Sequence, residues 1–217
     1  MKKRTVPALE GNPNVTVVDY GMGNIHSLVS ALTYLGAQVE VSAEASKICR
    51  SSLIILPGVG SFPAAMSIIQ KRSIDIALRE TLENPTSRLL GICLGMQLLG
   101  QASTEDGGAD GLGILEFEVQ KFGEAEKGSL PLPHIGFNAV FHNSQSSLFK
   151  GMGESADYYF VHEFQCSVGR SGALESLSTY GDIFLAAIED GQVFGTQFHP
   201  EKSQTNGLRV LSNFLQI

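Results

Sequence analysis

Cys93, His199 and Glu201 are the side chains of this sequence whose types and surroundings fit covalent chemistry. Cys93 stands in Leu90-Gly91-Ile92-Cys93-Leu94-Gly95-Met96-Gln97. An apolar run, Arg88 to Ile92, precedes it and reads as a short buried strand, while Met96 to Gln101 reads as the first turns of a helix. A nucleophile held between two glycines at such a junction has the pattern of a nucleophile elbow, with sulfur in place of a serine oxygen. The turn must be tight, so Gly91 and Gly95 supply backbone freedom and leave space for a substrate. A thiol at a helix N-terminus also feels the positive end of the helix dipole, which favours the thiolate. His199 follows a strand in Gly195-Thr196-Gln197-Phe198-His199-Pro200-Glu201-Lys202. A thiol needs a base and the base needs an orienting group, so these three residues form a triad if the fold joins them. The alternatives are a buried structural cysteine and a histidine that only hydrogen-bonds at a strand end.

Leu56-Pro57-Gly58-Val59-Gly60-Ser61-Phe62 closes another hydrophobic strand. Its glycines let backbone N–H groups turn toward a developing oxyanion; the competing reading is an ordinary strand-to-helix loop. Gly21-Met22-Gly23-Asn24 is only half of a dinucleotide fingerprint, since the third glycine is missing, and it argues weakly for a nucleotide cofactor. His26, His134, His142 and His162 lack metal-ligand spacing, so no metal and no cofactor are expected. Cys49 and Cys166 read as core or surface thiols.

The elements that must carry these residues alternate. Val15 to Asp19 is a β-branched strand, and Ile25 to Leu35 has helical apolar spacing that Gly36 stops. Gln38 to Val41 and Leu53 to Leu56 read as strands, and Phe62 to Glu83 as a helix ended by Pro85. This order predicts an α/β fold with a largely parallel central sheet flanked by helices. In such sheets sites collect at the carboxyl ends of strands, where Asp19, Pro57 and Cys93 fall. From Glu116 the pattern changes to extra antiparallel strands: Glu116 to Phe122, Asn138 to Phe141, Asp157 to Val161, Phe184 to Glu189 and Val193 to Phe198. Asp190-Gly191 suits the hairpin turn between the last two. A final helix is expected over Gly207 to Leu215. Residues 1–14 read as a loose N-terminal extension and 15–217 as one domain.

Composition bounds the function. The 217 residues suffice for one α/β domain, and 43% hydrophobic against 17% charged content argues against disorder. A net charge of -7 argues against a nucleic-acid or anionic-membrane partner. No apolar stretch reaches the roughly 18 residues of a membrane span, and no signal peptide is apparent. Three cysteines without a C-x-x-C suit a reducing, cytoplasmic setting.

Taken together, Pro57-Gly58-Val59-Gly60, Gly91-Ile92-Cys93-Leu94-Gly95-Met96-Gln97 and Phe198-His199-Pro200-Glu201 resemble the motifs of class I (triad) glutamine amidotransferases. Within that family, Asp19-Tyr20-Gly21-Met22-Gly23-Asn24, Pro133-His134-Ile135-Gly136-Phe137-Asn138, Tyr159-Phe160-Val161-His162 and His199-Pro200-Glu201-Lys202-Ser203-Gln204 are most similar to the glutaminase subunits of imidazole glycerol phosphate synthases. The resemblance implies that Cys93 attacks the carboxamide of L-glutamine, His199 moves the proton and Glu201 orients the imidazole. It implies an oxyanion hole at Gly58, Val59, Gly60 and Leu94, and substrate contacts from Gln97 and Glu105. It also implies a heterodimer with a (βα)8-barrel synthase subunit that receives ammonia through a tunnel and switches hydrolysis on, with Asn24, Phe137, Tyr159 and Lys202 on the interface side. The family usually has tryptophan where this chain has Phe137, which removes an indole N–H.

Two rival functions have the same motifs or the same fold. One is a paralogous subunit feeding ammonia to an amidino-sugar pathway of surface polysaccharides. The other is a non-catalytic scaffold, which the intact set of Cys93, His199 and Glu201 opposes.

Overall fold

A computed structural model describes residues 9, 11–123, 130–169 and 172–217. Its first half runs β1 (Asn14–Val18), α1 (Ile25–Leu35), β2 (Gln38–Ser42), α2 (Ala45–Ile48), β3 (Leu53–Gly58), α3 (Phe62–Lys71), α4 (Ile74–Leu82), β4 (Arg88–Cys93) and α5 (Leu94–Leu98). Short strands β5 (Ala102–Ser103), β6 (Ala109–Asp110) and β7 (Glu118–Lys121) follow. Then come β8 (His134–Phe141), β9 (Ser155–His162), β10 (Phe164–Cys166), β11 (Leu174–Tyr180), β12 (Asp182–Asp190), β13 (Val193–Thr196) and α6 (Gln204–Phe214).

Nine strands form the main sheet in the order β2-β1-β3-β4-β13-β12-β11-β8-β9. The first five are parallel and the last four join antiparallel. A smaller sheet, β10-β7-β5-β6, stands beside it. Ile54 and Leu56 enter one buried cluster while Ile55 enters another, and Leu89 and Leu90 divide the same way. Successive side chains point to opposite faces, so both faces of the central strands are buried. The expected α/β architecture is therefore present, and β4 lies between β3, which carries Pro57 and Gly58 at its end, and β13, which precedes His199.

Four local expectations change. The helix expected over Phe62 to Glu83 is two helices, because Ser73 takes a left-handed φ of 55°. The helix after Cys93 is only five residues long and ends before Gln101. Its last carbonyls are taken by the following loop: Leu112 N–H donates to Leu98, and Ile114 and Leu115 N–H both donate to Leu99. Strand β11 was not expected from its mixed Leu, Glu and Ser sequence; pairing with β12 along its whole length holds it. The first strand begins at Asn14, which pairs with Gln38. Most of the N-terminal stretch lies outside the described residues, but Leu9 packs on the core. Among the described residues no helix is long and apolar enough to cross a membrane.

Candidate active site

Cys93 ends β4 with φ 54° and ψ -112°, a conformation that costs a non-glycine residue about 1–3 kcal/mol. The surrounding packing enforces it. A Cβ on Gly91 would lie 2.7 Å from the Cα of Met96, and one on Gly95 would collide with the carbonyl oxygen of Leu56. The two glycines thus let the chain reverse against its neighbours β3 and α5. The following helix is little more than one turn, so its dipole adds less than a full helix would.

His199 comes just after β13, with its backbone N–H donating to Tyr159 at 2.9 Å and its carbonyl accepting from the Ser203 hydroxyl at 2.6 Å. Its Nδ1 meets Glu201 Oε1 at 2.8 Å, with both side chains almost fully buried. A carboxylate accepts, so Nδ1 carries a proton and Nε2 is the ring nitrogen left to exchange a proton with the cavity side. That Nε2 is buried without a well-formed hydrogen bond. Burial pulls the His199 pKa down, but Cys93 first and Glu201 second outweigh it and raise the value to about 10. The sulfur of Cys93 lies 3.9 Å from the carbonyl oxygen of Val161 and accepts from Gln197 Nε2 at 3.7 Å.

A cavity of about 430 Å³ opens on the sulfur. Val59, Gly60, Leu94, Gln97 and Glu105 all line it with Cys93. Gly58 is the β3 residue in register with Cys93, and Leu94 is the first residue of α5, whose N–H has no intrahelical partner. The Val59 N–H, however, donates to the Met22 carbonyl at 3.3 Å. Glu105 accepts from the Phe62 N–H at 2.9 Å, and burial raises its pKa. A cationic group in the cavity would relieve that desolvation. Gln97 uses its amide hydrogens on the Phe164 carbonyl and Gln197 Oε1, each at 3.0 Å.

On the outer side of β8 and β9, Phe137 is opposite Tyr159 in register, with ring centroids 5.6 Å apart. The Lys202 ammonium lies 5.7 Å over the Tyr159 ring. Asn24 immediately precedes α1, which packs against the Pro200–Lys202 turn. Among the described residues there is no cluster of metal-ligating side chains.

Sequence reasoning did not single out Gln197 or the pair His134–His162. The signal for Gln197 is a polar residue in an apolar run, two residues before a candidate base. His134 and His162 face each other across β8 and β9, joined Nδ1 to Nε2 at 3.1 Å.

A family model described as glutamine amidotransferase class-I matches residues 16–217. The chain is 40% identical to the imidazole glycerol phosphate synthase subunit HisH of Pseudomonas putida, over 93% of this chain and 96% of that one. It is also 40% identical to the HisH subunit of Moorella thermoacetica, covering 92% and 93%. The structure of PurLQS from Thermotoga maritima shares the fold, with a TM-score of 0.73 and 19% identity over 94% of this chain and 98% of that one. The chain belongs to the class I glutamine amidotransferase family and, within it, resembles the HisH subunits.

Proposed function

We propose that this chain is the glutaminase subunit of an imidazole glycerol phosphate synthase, hydrolysing L-glutamine to glutamate and ammonia for histidine biosynthesis. The observation that carries the reading is Cys93 on a positive-φ turn, open to a cavity and backed by the buried His199–Glu201 pair. The names of the relatives at 40% identity support the pathway.

In this mechanism the Cys93 sulfur adds to the carboxamide carbon while His199 holds the thiol proton. The oxyanion is held by N–H groups of the Gly58-Val59-Gly60 loop and Leu94, which stabilise the developing charge most when already positioned. Collapse breaks the C–N bond, and His199 gives its proton to the departing nitrogen, which leaves as ammonia. Water then attacks the glutamyl thioester with His199 as base, releasing glutamate and restoring the thiol. Glu201 keeps the imidazole in one tautomer throughout. Gln97 and Glu105 hold the substrate, Glu105 through its ammonium. No cofactor or metal enters any step.

Ammonia passes to a (βα)8-barrel synthase subunit docked on the face carrying Asn24, Phe137, Tyr159 and Lys202, in a cytoplasmic heterodimer. The test is an assay of the purified pair with glutamine and the phosphoribulosyl aminoimidazole carboxamide substrate. Imidazole glycerol phosphate should form, and its absence would sink the pathway assignment. Phenylalanine at position 137 favours testing an amidino-sugar acceptor as the second reading.

A further inference from the structure

Gln197 is completely buried, one strand away from the nucleophile and two residues before the base. Its amide is wired at both ends. Oε1 accepts from Gln97 Nε2 at 3.0 Å and lies 4.0 Å from the Cys166 sulfur, which donates weakly. Nε2 donates to the Cys93 sulfur at 3.7 Å. Gln97 fixes this orientation, because it presents N–H to Gln197 while its other N–H goes to the Phe164 carbonyl. Reversing the Gln197 amide would set two donors against each other.

We infer that Gln197 holds the Cys93 thiolate in its attacking position through the Nε2–H···Sγ bond, and that Gln97 aims it. The inference rests on the glutaminase reading of the same site. Hydrogen bonds to charged groups are worth more than those to neutral ones, and more still away from water. The bond is therefore weak to the thiol and strengthens when sulfur loses its proton. The Val161 carbonyl, 3.9 Å from the sulfur, accepts only from the thiol form. The two contacts serve opposite protonation states: Val161 suits S–H and Gln197 suits S⁻.

Other groups also act on this sulfur. His199 interacts with this sulfur from beyond β13. Tyr20 and Cys166 interact with its charge from the ends of β1 and β10. Glu105, Glu163, His162 and Lys202 line the cavity above it. Of these groups only Cys166 also touches Gln197, so Cys166→Ala is the control: a shift seen in Gln197→Met and absent from Cys166→Ala belongs to the amide.

The test measures iodoacetamide alkylation of the lone full chain against pH, read by mass spectrometry on the peptide carrying Cys93. No turnover is needed, so an inactive enzyme would sink the glutaminase reading without entering this readout. The inference expects the midpoint of alkylation in Gln197→Met to rise by about one pH unit, a tenfold loss of thiolate. Gln197→Glu, of nearly the same shape, should rise further because it sets a carboxylate beside the sulfur. A folded variant with an unchanged midpoint overturns the inference, whatever its thermal stability. A second readout uses the unmodified chain. The side-chain amide resonances of Gln197 should move with the same midpoint as Cys93 alkylation, and resonances flat across that range overturn the inference as well.

Discussion

The backbone N–H of Val59 donates to the carbonyl oxygen of Met22 at 3.3 Å, so a donor of the proposed oxyanion hole is already occupied. An oxyanion donor lost from a preorganised site costs about two to three orders of magnitude in turnover. The isolated chain should therefore hydrolyse glutamine slowly, and the proposed barrel partner should raise kcat by about a hundredfold or more. Steady-state glutamate formation with and without the partner measures this. Fast constitutive turnover by the lone chain would contradict it.

His199 should titrate near pH 10 in the unmodified chain, held there by Cys93 and Glu201 against the effect of burial. In Cys93→Ala the largest supporting influence disappears, so the titration should move to lower pH. Histidine ring NMR reads both. The folded pKa lies above the free value of about 6.5. The stability linked to this proton is thus complete below that pH and lost as pH rises through about 10. An unmoved titration in Cys93→Ala would separate the imidazole from the thiol.

Gly95→Ala should destabilise the fold and silence the site together. Its Cβ would meet the Leu56 carbonyl, a backbone atom that cannot move aside cheaply. Overpacking of this kind costs about 1–3 kcal/mol and sometimes more. Chemical denaturation should show the loss. Gly107→Ala is the control for glycine substitution as such: φ there is 94°, with nothing within 4 Å of a new Cβ, so it tests strain without collision.

The buried pair His134–His162 predicts acid sensitivity. Burial lowers the His134 pKa to about 4 and the His162 pKa to about 3. Below about pH 6.5 the unfolded chain binds protons that the folded chain refuses, so stability falls as pH drops toward these values. Each histidine contributes up to a tenfold change in the folding constant per pH unit. His134→Gln should flatten the pH dependence of urea midpoints between about 6 and 4, and an unchanged slope would contradict the assignment.

Much of this was legible in the sequence because two kinds of pattern agreed. The apolar runs at Val15, Leu53 and Arg88 are buried on both faces, which a parallel sheet requires, and the glycines around Cys93 answer to close backbone approach. What escaped notice depends on tertiary context. Nothing local breaks the helical pattern at Arg72 and Ser73. Strand β11 draws its order from β12 and not from its own propensities. Gln197 acquires meaning only once Gln97 and Cys93, 100 and 104 residues before it in sequence, reach either end of its amide.

The central claim is that Cys93 attacks glutamine. The most direct measurement treats the assembled pair with the glutamine analogue 6-diazo-5-oxo-norleucine and locates the adduct by peptide mass spectrometry. The account predicts one label, on Cys93, with glutamate formation lost in step with labelling and glutamine protecting. Labelling of Cys49 or Cys166 instead, or full activity in Cys93→Ala, would contradict it.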